Sequence, residues 1–401
     1  MGHVLDHRQI ADEMGIFFID AEVGAGLPIW LPNGVVIRDQ LEAFMRELER
    51  RRGYQRVVSP HLAKRSLYEK SGHLQFYQDD MYPSMRADGE EFFLRPMNCP
   101  HHHKIFASRP RSYRELPLRL AEYGQVYRHE RSGALRGLSR VRGLCQNDAH
   151  IYVDPDQALH EIANVLDLHE ECYRRLELDE FSYRLSLSES ENGDPLWRVG
   201  EDLLRKALRD RGLSYVEAVG EAAFYGPKID VQMRLADGRE ESIASLQLDL
   251  FSADRFDLEF ISSGGEKRRP WIIHRAPLGS HERFVAILLE VSAGRLPGWL
   301  APVQLAVIPM SEAERSLAEA LAAELHQKGV RVQVDRSLGS LGKRLRELHK
   351  LRPVARVVLG RKERESLRVG LEFRDFAVEC GVDEIFVKLQ KSLRPPLDLG
   401  G

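Results

Sequence analysis

GEAAFYGPKIDVQMRL (220–235), REESIASLQLDLF (239–251), DRFDLEFIS (254–262) and RPWIIHRAP (269–277) follow one another with only the polar turns ADG (236–238) and SSGGEK (262–267) and a few residues between them. Apolar, β-branched and aromatic residues bounded by Gly, Pro and Asp predict a run of strands. GSHERFVAILLEVSAG (279–294) then reads as the helix that closes the unit. Upstream, EFFLR (91–95) and VRGLCQNDAHIYV (141–153) also read as strands. LRLAEYGQVYR (118–128) reads as a helix or a strand, ahead of a charged loop. Helical periodicity covers 5–18, 35–53, 155–177 and 195–213. The second of these stops at Gly53, and the third opens with acidic residues and a Pro near its start. YQRVVSPHL reads as a strand ending at Pro60.

After GRLPGWLAP (294–302), with two prolines and two glycines, the pattern changes. Strands at VQLAVIP, VRVQVD, VARVVLG and LRVGLEF alternate with helices at SEAERSLAEALAAELHQKG and LGKRLRELHKLR, and LRVGLEF precedes a final helix, DEIFVKLQKSL. That alternation predicts a small α/β domain on a largely parallel sheet. Ser311 and Glu314 form a capping-box candidate for its first helix. The expected domains are therefore 1–297 and 298–401.

The chain has 401 residues, long enough for two or three cores. Hydrophobic residues make up 43% and charged residues 30%, which describes a globular protein in water. No apolar run reaches the roughly 18 residues that cross a bilayer. The N-terminus lacks the apolar stretch of a secretory signal, so a cytoplasmic location is expected. Net charge is -3, so composition does not announce a nucleic-acid binder, although basic residues cluster at 128–142 and 343–356. Cys99, Cys145, Cys172 and Cys380 fit neither a disulfide framework nor a CxxC zinc ribbon, as in a reduced intracellular chain.

Cys99 in MNCP, His150 in QNDAH and His274 in IIHRAP each end or interrupt a β-like segment. One Cys and two His can form a three-ligand zinc site with an open position. By spacing alone, each is more often an ordinary structural residue. His101, His102 and His103 are consecutive; on a helix they point in different directions and read as incidental. Arg128, His129 and Glu130 precede a flexible SGALRGL loop, and Arg283 sits near a helix start in GSHERF. Two arginines converging on a phosphate suit nucleotidyl transfer, and Glu130 could accept from a base amino group. Surface salt bridges are the competing reading of the same residues.

Three longer strings occur in order: a long helix followed by Gly53 and VVSP, then YRHERSGALRGLSRVRGL, then APLGSHERF. They resemble motifs 1, 2 and 3 of class II aminoacyl-tRNA synthetases. EKSGH (69–73), RPMNCPHH (95–102), QNDAH, AAFYGPKID (222–230), LQLDL (246–250), IIHRAPLGSHERF and WLAPVQL (299–305) resemble the threonyl-tRNA synthetase family in particular. The resemblance spans essentially the whole chain. It implies an α/β protein: an α+β catalytic domain with an antiparallel sheet flanked by helices, then a small α/β anticodon-binding-like domain. It implies ATP-dependent activation of L-threonine and transfer to tRNA-Thr by a homodimer, with Mg2+ accompanying ATP and no membrane partner.

Residue by residue, the resemblance makes Cys99, His150 and His274 the Zn2+ ligands, one ion per chain. Gln146, Asp148, Tyr225 and Gln247 surround the amino acid. Arg128 and Arg283 contact the ATP phosphates, Glu130 contacts adenine, and His73 moves a proton during transfer to tRNA. Family members usually carry two further N-terminal domains, one of which edits mischarged serine. The chain opens at the helix that begins the catalytic core, so no editing by this polypeptide is expected. Glu241-Ser242 stands where the family has Trp-Gln. SLGSLGKRL and RVGLEFRD depart from the family's anticodon-domain pattern. The C-terminal departures motivate a second reading, a paralogue that activates threonine or a related β-hydroxy amino acid for another acceptor or as a back-up enzyme. A third, a non-catalytic synthetase-like regulator, is opposed by the intact Arg128, Arg283, Cys99, His150 and His274.

Overall fold

The structure is a computed structural model that describes residues 6–189, 195–235, 238–337, 339–393 and 395. It divides into two compact units, one of 19–28 and 45–287, the other of 6–18, 29–44 and 288 onward.

The first unit is built on an eight-stranded sheet. In spatial order its strands are Tyr215–Val219, Phe181–Leu187, Lys228–Arg234, Glu240–Asp249, Trp271–Ala276, Gly143–Val153, Leu118–Tyr127 and Gln55–Arg56. The six central strands pair antiparallel, and the two edge strands pair parallel to their neighbours. The ambiguous 118–128 stretch is a strand, paired over ten residues with 143–153. Its partner, not its own periodicity, decides the matter.

Register places the functional residues. Glu122 lies opposite Asp148, His150 opposite His274, His274 opposite Gln247, and Gln247 opposite Lys228. Side chains directly opposite one another share a face, and residues two apart on a strand do too. One face of the sheet therefore carries Glu122, Gln146, Asp148, His150, His274, Gln247, Asp249 and Lys228. Helix Cys99–Phe106 packs over this face, burying Phe106 with Leu118, Leu120, Tyr152 and Ile272. Helix Ala158–Arg175 lies against strands 240–249 and 271–276.

Two segments fold differently from the sequence expectation. DRFDLEFIS is not one strand: Ser252–Phe256 is a helix, and only Phe260–Ile261 is extended. The Asp249 carboxylate accepts from the backbone N–H groups of Phe251 (3.0 Å) and Ser252 (2.8 Å), which turns the chain into that helix. Asp257 at φ 55° ends it. YQRVVSPHL is extended only briefly: Gln55–Arg56 joins the sheet edge, and a separate strand starts at Leu62.

The second unit carries a five-stranded sheet ordered Val332–Val334, Leu305–Pro309, Ala355–Leu359, Arg368–Phe373 and Ala377–Gly381. The first three strands are parallel, as expected. The last two are antiparallel, and strand 377–381 stands between LRVGLEF and the final helix. Phe373 and Phe376 stack at 4.6 Å across the turn that joins them, a tight hairpin that alternation alone did not mark. The central parallel strands are covered on both faces. Leu305, Val307, Val357 and Leu371 pack with Leu321, Leu325 and Leu389 on one side, and Ala306 and Ile308 pack with Leu348 on the other. Ser311 and Glu314 form the capping box of helix Glu312–Gln327, with Ala313 N donating to Ser311 Oγ (3.2 Å) and Ser311 N to Glu314 Oε2 (3.1 Å). No helix among the described residues is long and apolar enough to cross a membrane.

Candidate active site

The face described above opens into a cleft of about 430 Å³. Its lining includes Cys99, Arg128, Gln146, Asp148, His150, Tyr225, Gln247 and His274. Eight of the residues singled out in the sequence thus meet in one place.

At its floor, one donor atom each from Cys99, His150 and His274 lies within 4.8 Å of the others, and all three residues are buried. Cys99 is the first residue of helix 99–106, which sits close on the sheet because Gly124 has no side chain. A Cβ at Gly124 would come within 2.2 Å of the Asn98 amide oxygen. Asn98 Nδ2 donates to Asp148 (2.9 Å), tying the helix start to the strand that carries His150.

Each imidazole has one nitrogen committed to a neighbour. His274 Nε2 bonds Asp249 Oδ2 at 3.0 Å, and His150 Nδ1 faces His102 Nδ1 at 2.8 Å. That leaves His274 Nδ1 and His150 Nε2 as the free donors. Burial pushes the His150 imidazole well below its ordinary pKa, so the ring is neutral, as a ligand requires. Burial pushes the Cys99 thiol well above its ordinary value, with Asp148 and Asp249 adding to the shift. A thiolate there needs a cation beside it. Three buried N/S donors with the other imidazole nitrogens engaged fit a four-coordinate zinc ion with one open position.

Above the floor, Tyr225 stacks on His274 (4.9 Å, 21°), and its hydroxyl donates to Gln247 Oε1. Arg128 forms part of the wall, its guanidinium 5.9 Å from the Tyr77 ring. Arg283 is largely buried near Arg128, Arg140, Glu130 and Glu241, with Nε donating to the Ser139 carbonyl (3.1 Å). Burial pushes its pKa down; Arg128 and Arg140 add to this, while Glu241 and Glu130 oppose it. Glu130 is ion-paired to Arg140 at 2.8 Å. Glu241, one of the residues that depart from the family pattern, is ion-paired to Arg239 at 3.4 Å and adds negative charge in the neighbourhood of an expected phosphate arginine.

His73 lies beside the cleft rather than in its lining. Its ring packs edge-on against Phe224 (5.8 Å), Tyr68 and Tyr77, and Ser71 Oγ bonds its Nδ1 at 2.7 Å. Its Nε2 is buried and has no partner among the described residues. Burial lowers its pKa to about 3, aided by the Arg128 and Arg255 charges, so the ring is neutral near pH 7.

Of His101–His103, none belongs to the three-donor cluster, but His102 and His103 lie directly against it. His103 Nδ1 bonds the Tyr152 hydroxyl (2.9 Å), and its ring lies 6.3 Å from that of His274. Three consecutive residues indeed cannot share an ion easily. Positions i+3 and i+4 from Cys99, however, lie on its side of the helix, and that spacing was the available signal. Asp249 also escaped notice, although strand alternation from Gln247 in LQLD places it on the same face. Glu122 had no local signal, since only register brings it here.

The antiparallel sheet, the arginines beside the cleft and the flanking helices define a class II aminoacyl-tRNA synthetase core. Residues 82–292 match the family described as tRNA synthetase class II core domain (G, H, P, S and T), and residues 304–390 match the anticodon binding domain family. A crystal structure of the RNA binding domain of threonyl-tRNA synthetase from Cryptosporidium parvum superposes with a TM-score of 0.91. It is 35% identical, with 99% of this chain and 100% of that one covered. A structure of a putative threonyl-tRNA synthetase from Aeropyrum pernix gives a TM-score of 0.84 at 31% identity, with 98% of each chain covered. The threonine–tRNA ligase of Chlorobaculum tepidum is 44% identical over 397 residues, 96% of this chain. The chain belongs to the class II synthetase family and, within it, to the threonyl-tRNA synthetases. It spans 60% of the length of that curated relative.

Proposed function

We propose that the protein activates L-threonine with ATP as the threonyl-adenylate and transfers it to tRNA-Thr. The observation that carries this reading is the buried Cys99–His150–His274 triad at the floor of a cleft walled by Asp148, Tyr225, Gln247 and Arg128. In this reading the triad holds one Zn2+. Bound there, zinc supplies a Lewis-acid site for an amino group and a β-hydroxyl, which rejects valine for lacking the hydroxyl.

The chain's own groups orient the rest. Asp148 faces the amino acid's amino group and accepts its N–H hydrogens, and Tyr225 and Gln247 with Gln146 close the pocket around it. Arg128 and Arg283 stabilise charge on the phosphates of Mg-ATP, and Glu130, on exchanging Arg140 for the base, contacts adenine. Attack of the substrate carboxylate on the α-phosphorus needs positioning and charge stabilisation more than proton transfer. His73, held neutral, serves as the proton acceptor for the later transfer to the ribose hydroxyl. We assign 1–297 to catalysis and 298–401 to tRNA anticodon binding, in a cytoplasmic homodimer.

The test is threonine-dependent ATP–pyrophosphate exchange followed by tRNA-Thr charging. The expected result is both activities, with exchange abolished in Cys99→Ala. Absence of exchange in the intact protein refutes the reading, and exchange without charging points to another acceptor.

A further inference from the structure

Glu122 lies at the end of a chain of buried hydrogen bonds that terminates on a triad residue. Its carboxylate accepts from Ser59 N (3.0 Å), Ser59 Oγ (2.6 Å), Arg95 Nη2 (3.1 Å) and His102 Nε2 (3.0 Å). Arg95 Nη1 also donates to Ser59 Oγ (2.6 Å), which closes the cluster. His102 is 0% exposed and Glu122 is 3% exposed, so water does not substitute for these bonds. On its far side, His102 Nδ1 faces His150 Nδ1 at 2.8 Å.

The directions of these bonds follow from the chemistry of the partners. A carboxylate only accepts, so His102 Nε2 carries a hydrogen. Arg95 already balances the Glu122 charge, and the buried group is electrically neutral with a neutral His102. A neutral imidazole has one N–H, so His102 Nδ1 is a bare acceptor. His150 Nδ1 then carries the hydrogen between the two rings. The lone pair left on His150 is at Nε2. His274 is oriented in the same manner by Asp249, its Nε2 donating and its Nδ1 free.

We infer that His102 and Glu122 are positioning residues that hold His150 in the tautomer and ring orientation in which Nε2 is presented to a metal. The Glu122–His102–His150 chain extends the familiar carboxylate–histidine–metal arrangement by one imidazole. It also gives a chemical role to a histidine in the run at 101–103. The inference rests on the metal-site reading above.

The experiment measures zinc affinity of the metal-stripped full chain by competition with a chromophoric chelator, normalised to the folded fraction from circular dichroism. The Co2+ form is examined by visible absorption. Cys99→Ala is the control for the site itself. His102→Leu removes both hydrogen bonds. His102→Asn keeps an amide oxygen where Nδ1 stood, able to accept from His150. Glu122→Gln offers His102 Nε2 an amide N–H, because Ser59 and Arg95 claim the amide oxygen, and so inverts both tautomers.

The expected result is loss of stoichiometric zinc in Cys99→Ala, and affinity about 10- to 100-fold weaker in His102→Leu and Glu122→Gln. Both should show an altered Co2+ d–d spectrum, and His102→Asn should recover most of the affinity. Wild-type affinity and spectrum in His102→Leu or in Glu122→Gln would overturn the inference, as would equal losses in His102→Leu and His102→Asn. Should one variant not fold, the other decides. Retention of zinc by Cys99→Ala would instead overturn the metal-site reading, so the two failures are distinguishable.

Discussion

His150, His274 and His169 are all buried, and what each can do follows from its two ring nitrogens. His150 and His274 each have one nitrogen engaged and one free. His169, in helix 158–175, has no hydrogen-bond partner for either nitrogen among the described residues. Burial, aided by the charge on Arg275, lowers its pKa to about 3. Because the folded value lies below the ordinary 6.5, the unfolded chain binds a proton that the folded chain refuses. Stability therefore falls as pH drops from about 6.5 towards 3, and the effect is absent above 6.5. In metal-free protein, His169→Leu should make the free energy of urea unfolding less dependent on pH. The slope should be shallower by about 1.4 kcal/mol per pH unit between roughly pH 6 and 4. An unchanged slope would show that His169 is protonated in the fold. The sequence marks the histidines of MNCPHHHK and QNDAH, but which nitrogen is free depends on partners 20 to 48 residues away.

At the scale of elements, the site is a helix seated on a sheet. Gln146, Asp148 and His150 share a face because a strand repeats every two residues, and this was legible in QNDAH. The seating of helix 99–106 was not legible, since it depends on Gly124 in the neighbouring strand. Gly124→Ala would drive a methyl group against the Asn98 amide, 2.2–2.5 Å away. The helix must lift, carrying Cys99 and His102 with it. A cost of about 1–3 kcal/mol is expected, with loss of zinc retention out of proportion to the fall in melting temperature. Thermal unfolding and metal analysis on one preparation check this; zinc retention equal to wild type would show that the helix accommodates the methyl. The misread DRFDLEFIS belongs to this scale as well. Its apolar residues fit either period, and the Asp249 carboxylate, two and three residues before the Phe251 and Ser252 N–H groups it accepts from, selects the helix by a local contact that periodicity does not register.

At the scale of the molecule, the two units interleave in sequence, residues 6–18 and 29–44 belonging with 288 onward. The motif-1-like region 32–60 includes Val58, which is 87% exposed. In the class II family this region forms the dimer interface, and an exposed apolar side chain there suits burial by a second copy. Sedimentation at micromolar concentration should show a two-chain species, and Val58→Asp should shift it towards one chain. A single-chain wild type would contradict the homodimer.

Local order along the chain determined much of this protein: the β-rich run, the alternating α/β pattern after 302, the capping box at Ser311 and the motif strings that place it among the threonyl-tRNA synthetases. These are short-range properties, set by periodicity and turn chemistry within a few residues. Only the tertiary structure decided that Glu122, Asp148, His150, His274 and Gln247 share one face, that His102 backs His150, and that the first helix belongs to the second unit. Strand register and helix seating are chosen by what is buried across the fold, and a one-residue shift would turn every one of these side chains away from the cleft.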